Sequence, residues 1–97
     1  MLDALGARAA DPGLRVVIAS RRGCHLCEDA EAVAARTCQP GAWAALDVDQ
    51  YPALQRMFTA HVPVVWVDGR LLTYWTLTDE QLSSALRTGR WPAPAHL

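Results

Sequence analysis

The polar and apolar positions change period several times along the chain. Leu14 to Ala19 (Leu-Arg-Val-Val-Ile-Ala) is a short apolar, β-branched run, the mark of a buried strand. Ser20-Arg21-Arg22-Gly23 breaks it. From Cys24 the period is helical, because Leu26, Ala30, Val33 and Ala34 fall at i, i+4, i+7 and i+8 on one face. Gln39-Pro40-Gly41 is a turn signal, and Trp43 to Val48 predicts a second strand. Asp49 is placed to cap a short helix with Pro52 in its first turn, ending near Phe58. Val64 to Val67 predicts a third strand, Asp68-Gly69 a tight hairpin turn, and Arg70 to Tyr74 the return strand. Thr78-Asp79-Glu80-Gln81 matches a capping box, with Leu82, Ala85 and Leu86 as the buried face and Gly89 as the stop.

The predicted order is β-α-β-α-β-β-α. Its first half implies a parallel pair with a right-handed crossover, and its second half adds a hairpin, so the sheet is mixed. Residues 1–13 are expected to be a flexible N-terminal segment, 14–89 the domain, and 90–97 an extended tail carrying Trp91-Pro92-Ala93-Pro94.

Length and composition narrow the class. The 97 residues make one small domain, and 52% hydrophobic content excludes disorder as the overall state. No apolar run approaches the ~20 residues of a membrane-spanning helix, and the start lacks the basic and apolar regions of a secretory signal. The formal net charge of -1 argues against a nucleic-acid partner. Three cysteines are too few for a disulfide scaffold and fit a cytoplasmic protein better.

Two of those cysteines, Cys24 and Cys27, carry the chemistry. Cys24 falls where a strand hands over to a helix, and a helix N-terminus offers unpaired N–H groups and a partial positive charge. A thiol there drops from about 8.5 into the range ~3.5 to ~7.5. Arg21 and Arg22 act in the same direction, and Glu28, Asp29 and Glu31 oppose it, so a modest lowering is expected at Cys24. Cys27, one turn on, is placed to resolve a mixed disulfide formed by Cys24. Cys38 is excluded from this pair: eleven residues of straight helix put it about 16 Å from Cys27, and a disulfide needs Cα atoms within about 7 Å. The same distance argues against a zinc site built from the three cysteines. His61 is expected to be a structural loop residue, and Trp43, Trp66, Tyr74 and Trp75 to be packing residues.

Arg21-Arg22-Gly23-Cys24-His25-Leu26-Cys27, after a strand and opening a helix, resembles the active-site segment of glutaredoxins and thioredoxins. His61-Val62-Pro63-Val64-Val65, followed by Asp68-Gly69, resembles the cis-proline segment of the same fold. The stretch from Val62 to Leu82 is most similar to small glutaredoxin-like proteins of bacteria. The resemblance implies a thioredoxin-like α/β fold, with a four-stranded sheet in the order 2-1-3-4 flanked by three helices. It implies a cis Val62–Pro63 bond beside Cys24, with the Val62 backbone pairing with substrate. It also implies a ligand contact at Arg21, where glutaredoxins often carry a basic residue.

The chain departs from both branches of that superfamily. Ile18 stands where thioredoxins commonly bury an acid. Trp75-Thr76-Leu77-Thr78-Asp79 replaces the Gly-Gly-Asp type segment that holds one end of glutathione, leaving Asp79 and the N–H groups at Thr78 as substitutes.

The leading function is therefore a thiol–disulfide oxidoreductase with Cys24 and Cys27 as its catalytic pair and no resident cofactor or metal. Its substrate is expected to be a disulfide-containing protein or a low-molecular-weight disulfide. Its reductant is glutathione, another small thiol or a reductase partner, and it is expected to act as a monomer. Two alternatives stay open: a non-catalytic binding module for a partner protein, and a glutaredoxin-like protein bridging an iron–sulfur cluster between two protomers.

Overall fold

The computed structural model describes residues 13–94. The elements are β1 (Val16–Ser20), α1 (His25–Thr37), β2 (Trp43–Asp47), a 3-10 turn (Val48–Gln50), α2 (Pro52–Phe58), β3 (Val64–Val67), β4 (Arg70–Tyr74) and α3 (Asp79–Thr88). The strands form one sheet in the order β2-β1-β3-β4, with β1–β2 parallel and the other two pairs antiparallel. This is the thioredoxin-like arrangement that the resemblance implies. All but one residue of the expected N-terminal segment, and the end of the tail with His96, lie outside the described residues.

Strand alternation sorts the core into two layers. Val16, Ile18, Val65 and Val67 face one side, where they meet Ala30, Val33 and Ala34 of α1 and Leu82 and Ala85 of α3. Val17, Ala19, Val64 and Trp66 face the other, where they meet Leu54 and Phe58 of α2 together with Leu46 and Val48. The two central strands are covered on both faces, which is why they read as unbroken apolar runs rather than as alternation.

Local signals closed several elements as predicted. Asp68 and Gly69 both have positive φ, +50° and +82°, as a two-residue hairpin turn of the favoured twist demands. Thr78 accepts the Gln81 N–H through its hydroxyl, and the Gln81 side chain reaches back to the Thr78 N–H, completing the capping box. Gly89 ends α3 in the left-handed region at φ +67°.

One expectation is corrected. Asp49 does not cap α2. Tyr51 occupies the N-cap without a side-chain bond, and Asp47 accepts the Asp49 N–H to cap the 3-10 turn. The Asp49 carboxylate is drawn instead to Arg21 and Gln55. The start of the extended tail packs back on the sheet. Trp91 donates its indole N–H to the Leu71 carbonyl at 2.7 Å, Arg70 lies 4.1 Å over its ring, and the Arg70 guanidinium donates to the Gly89 carbonyl. The edge strand β4 is thereby strapped by the segment that follows α3. On the hairpin side, Arg15 grips Asp68 through two nitrogens, at 3.0 and 2.8 Å, and donates to the Leu86 carbonyl.

Candidate active site

The site lies at the C-terminal end of β1. Gly23 turns the chain there with φ +73°, a conformation that only glycine adopts without cost. Cys24 follows as the N-cap of α1, and its Sγ accepts the Cys27 N–H at 3.2 Å. A cysteine takes the capping place usually given to a Ser or Asp oxygen. The residue is half-buried.

Cys27, one turn on, is fully buried under α1. Burial first, and then a hydrogen bond to the Cys24 sulfur, push its thiol up to about 12. The Arg21 backbone and the Ser20 hydroxyl act in the opposite direction but do not win. That hydroxyl is itself buried without a hydrogen-bond partner. The result is an asymmetric pair of free thiols: an accessible sulfur that receives hydrogen bonds, and a sealed one that keeps its proton.

The Val62–Pro63 peptide bond is cis. Ala19 pairs with Val64 across the β1–β3 ladder, so Pro63 stands beside Ser20, at the strand end from which the Cys24 loop departs. Pro63 is fully buried, and Val62 packs on the α2 side of the core.

Arg21 is placed at this loop but not as a free ligand cation. Its Nε and Nη2 bind both Asp49 oxygens, at 3.1 and 3.0 Å, while Nη1 and Nη2 donate to the Thr59 carbonyl and hydroxyl, at 2.9 and 2.8 Å. Four donor contacts are spent tying the Cys24 loop to the 3-10 turn before α2 and to Thr59, the residue that closes α2. Those bonds hold the Asp49 carboxyl below its ordinary range.

Asp79 is not brought to the cysteines. Arg36 binds it through Nη2 at 2.7 Å and Nε at 3.3 Å. Arg36 stands in the last turn of α1, roughly 18 Å along the helix axis from Cys24 by the rise per residue. The Thr78 N–H is taken by the capping box. Both groups that stood in for the glycine-rich segment are therefore engaged within the protein. Cys38 caps the far end of α1, half-buried, and burial raises its thiol.

An aromatic cluster stands beside Pro63, where the sequence places Trp75 near the expected groove but favours packing as its role. Trp75 has φ +70°, donates its main-chain N–H to the Pro63 carbonyl at 2.8 Å and its indole N–H to the Ala60 carbonyl at 2.9 Å. The His61 ring lies parallel to it, within 4°, at 6.0 Å between centroids, and Tyr74 meets His61 edge-on at 5.4 Å. His61 Nδ1 is buried without a hydrogen-bond partner. No periodicity predicts a left-handed tryptophan, and the resemblance, which includes Tyr74-Trp75, does not give the orientation of the ring.

On the opposite side of the Cys24 loop, toward β2, an open cleft of about 510 Å³ is lined by Arg21 and Arg22 and by Glu28, Glu31 and Asp47. Among the described residues there is no grouping of three or more metal-ligating side chains, and no helix is long and apolar enough to cross a membrane.

Comparison with known proteins agrees with this geometry. No curated protein matches the chain. A solved structure, "X-ray structure of Northeast Structural Genomics target protein XcR50 from X. campestris", is 29% identical, with a TM-score of 0.62 over 73% of this chain and 93% of that one. A family profile described as "Glutaredoxin-like domain (DUF836)" matches residues 15–87, from Arg15 before β1 to Arg87 in the last turn of α3. That span holds Cys24 and Cys27, the cis Val62–Pro63 bond and the whole sheet, and the chain belongs to this glutaredoxin-like domain family.

Proposed function

We propose that the protein is a thiol–disulfide oxidoreductase working through Cys24 and Cys27. The observation that carries this reading is the asymmetry of the pair. The Cys24 sulfur is reachable and accepts the Cys27 N–H at 3.2 Å, while Cys27 is fully buried with its thiol pushed up to about 12. A nucleophile and a resolving thiol need these two environments.

The reaction has two displacements. Cys24, as thiolate, attacks one sulfur of a substrate disulfide, forms a mixed disulfide and expels the other sulfur as a thiolate, which takes up a proton. Cys27 then loses its proton and attacks the Cys24 sulfur, forming the Cys24–Cys27 disulfide and releasing the second substrate thiol. Two electrons pass from the dithiol to the substrate, and a small thiol or a reductase protein returns them. The cysteines supply both electrons, so neither step calls on a bound cofactor or metal. Substrates of this reading are protein disulfides or low-molecular-weight disulfides.

Poising the protein in graded glutathione redox buffers, alkylating it and counting modified thiols by intact mass tests the reading. The expected result is two thiols that interconvert together at one potential, mapped to Cys24 and Cys27. A pair that stays reduced across the whole range, in folded protein, sinks it. A binding module is then what remains, and it predicts partner affinity unaffected by Cys24→Ser.

A further inference from the structure

Three large apolar side chains are exposed among the described residues: Leu26 at 43%, Met57 at 53% and Trp75 at 49%. All three belong to segments around the cysteine pair. Leu26 stands between Cys24 and Cys27. Met57 lies in the last turn of α2, just before the chain enters the Val62–Pro63 strap. Trp75 is fastened to the strap itself, and its two hydrogen bonds, to Ala60 and Pro63, straddle Val62.

Trp75 holds this place against a conformational cost. A left-handed backbone is costly for a bulky L-residue. His61 stacked at 6.0 Å and Tyr74 edge-on at 4.9 Å fix the orientation of the ring. Core packing would bury such a ring, yet half of this one remains in water. An aromatic ring held rigid, costly in backbone energy and exposed on the Val62–Pro63 segment suits recognition.

The charges favour the same occupant. Arg21 and Asp79, the charges expected to grip a small charged thiol, are engaged by Asp49, Thr59 and Arg36. Arg22 is exposed, but the cleft it lines also carries the carboxylates of Glu28, Glu31 and Asp47, a setting unfavourable to an anionic tripeptide.

We infer that Trp75 is a specificity-determining residue, and that the substrate class is a polypeptide disulfide carrying an apolar or aromatic side chain beside its reactive cysteine. The inference rests on the oxidoreductase reading above. The electron flow is the same: the Cys24–Cys27 dithiol is oxidised and the polypeptide disulfide is reduced to two thiols. Trp75 adds contact with the neighbouring side chain while Cys24 engages the sulfur.

The test uses the full-length protein, reduced and freed of reductant, in single-turnover reactions with three substrates. Two are synthetic peptides that each close one disulfide and differ only in the residue next to one cysteine, Trp in one and Ser in the other. The third is oxidised glutathione. The second-order rate constant for the Trp peptide is expected to be about tenfold above that of the Ser peptide and of glutathione, on the scale of a good aromatic contact plus buried area. The difference should lie in the half-saturating concentration. Trp75→Gly removes the ring and accepts the left-handed backbone, and it should bring the peptide ratio close to one. Trp75→Asn, which also tolerates that region, serves if the glycine variant does not fold.

Equal rates on the two peptides, glutathione outrunning both, or a preference that survives loss of the ring each overturns the inference and leaves the oxidoreductase reading standing. Failure to reduce any of the three overturns both.

Discussion

The amide of Cys27 points at the sulfur of Cys24 from 3.2 Å, while the sulfur of Cys27 lies sealed beneath α1. One residue thus serves its partner twice, as a backbone donor to the nucleophile's sulfur and as the thiol that resolves it. Cys27→Ser should accumulate a mixed disulfide at Cys24 when the protein meets a disulfide substrate, visible by intact mass and lost on reduction. Cys24→Ser should form none at Cys27, since that thiol is buried, and peptide mapping separates Cys27 from the half-buried Cys38. A Cys24→Ser protein that is modified at Cys27 as fast as the wild type at Cys24 would contradict the asymmetry.

The buried thiol makes the stability of the reduced protein fall at high pH. Cys27 titrates at about 12 when folded, against an ordinary value of 9.0. Between those values the unfolded chain gives up this proton and the folded one keeps it. Stability from this group is complete below about pH 9 and is lost as pH rises toward 12, by up to ~1.4 kcal/mol per pH unit. Chemical denaturation at pH 8 and pH 10 should show the reduced protein losing stability relative to the oxidised form, where the same sulfur cannot ionise. Parallel losses in both forms would falsify the assignment.

Acid should weaken the fold through three aspartates. Asp49, Asp68 and Asp79 are each held below the ordinary carboxylate range, first by hydrogen bonds from Arg21, Arg15 and Arg36 respectively. A depressed carboxyl contributes stability above its unfolded value of ~3.9 and loses it as pH falls through the folded value. These pairs are 29–58% exposed, so the effect is modest and shrinks in high salt. Melting temperatures should fall below pH 4, and Asp49→Asn should flatten part of that fall.

Gly23 bends the chain into Cys24, and Gly23→Ala isolates the cost of that bend. A Cβ there meets nothing within 4 Å, so the penalty is purely one of backbone conformation at φ +73°. It should be about 1 kcal/mol in urea denaturation. The exchange rate should fall as well, because relief of the strain displaces the residue that follows. Gly23→Asn, better suited to the left-handed region, should lose less of both.

Trp91 should matter to stability although it follows the last helix. Trp91→Ala removes the hydrogen bond to the Leu71 carbonyl and the stack under Arg70. A half-buried ring of this kind is worth about 2 kcal/mol, so the urea midpoint should drop while the Cys24–Cys27 potential stays where it was. A variant as stable as the wild type would show that the strap is dispensable.

Much of the fold was legible because its signals are local. The change from strand to helix period at Cys24, the Asp68-Gly69 turn and the Thr78–Gln81 capping box each lie within a few residues and fix backbone geometry whatever surrounds them. The cysteine pair was legible for the same reason, since i, i+3 on a helix start is a spacing. Charged and aromatic side chains were not, because their roles depend on which partner arrives. Arg21 finds Asp49 across 28 residues and Asp79 finds Arg36 across 43, and each pairing turns an expected ligand group into a brace. Trp75 reaches Ala60 across 15 residues and Trp91 reaches Leu71 across 20, pairings that only the closed sheet brings about. The sequence by itself determined the element order and the place of the reactive thiols, because short-range sterics and periodicity encode them. Only the tertiary structure decided which thiol is sealed, which charges remain for a ligand and which aromatic ring faces the site, because burial and partner choice arise when distant segments meet.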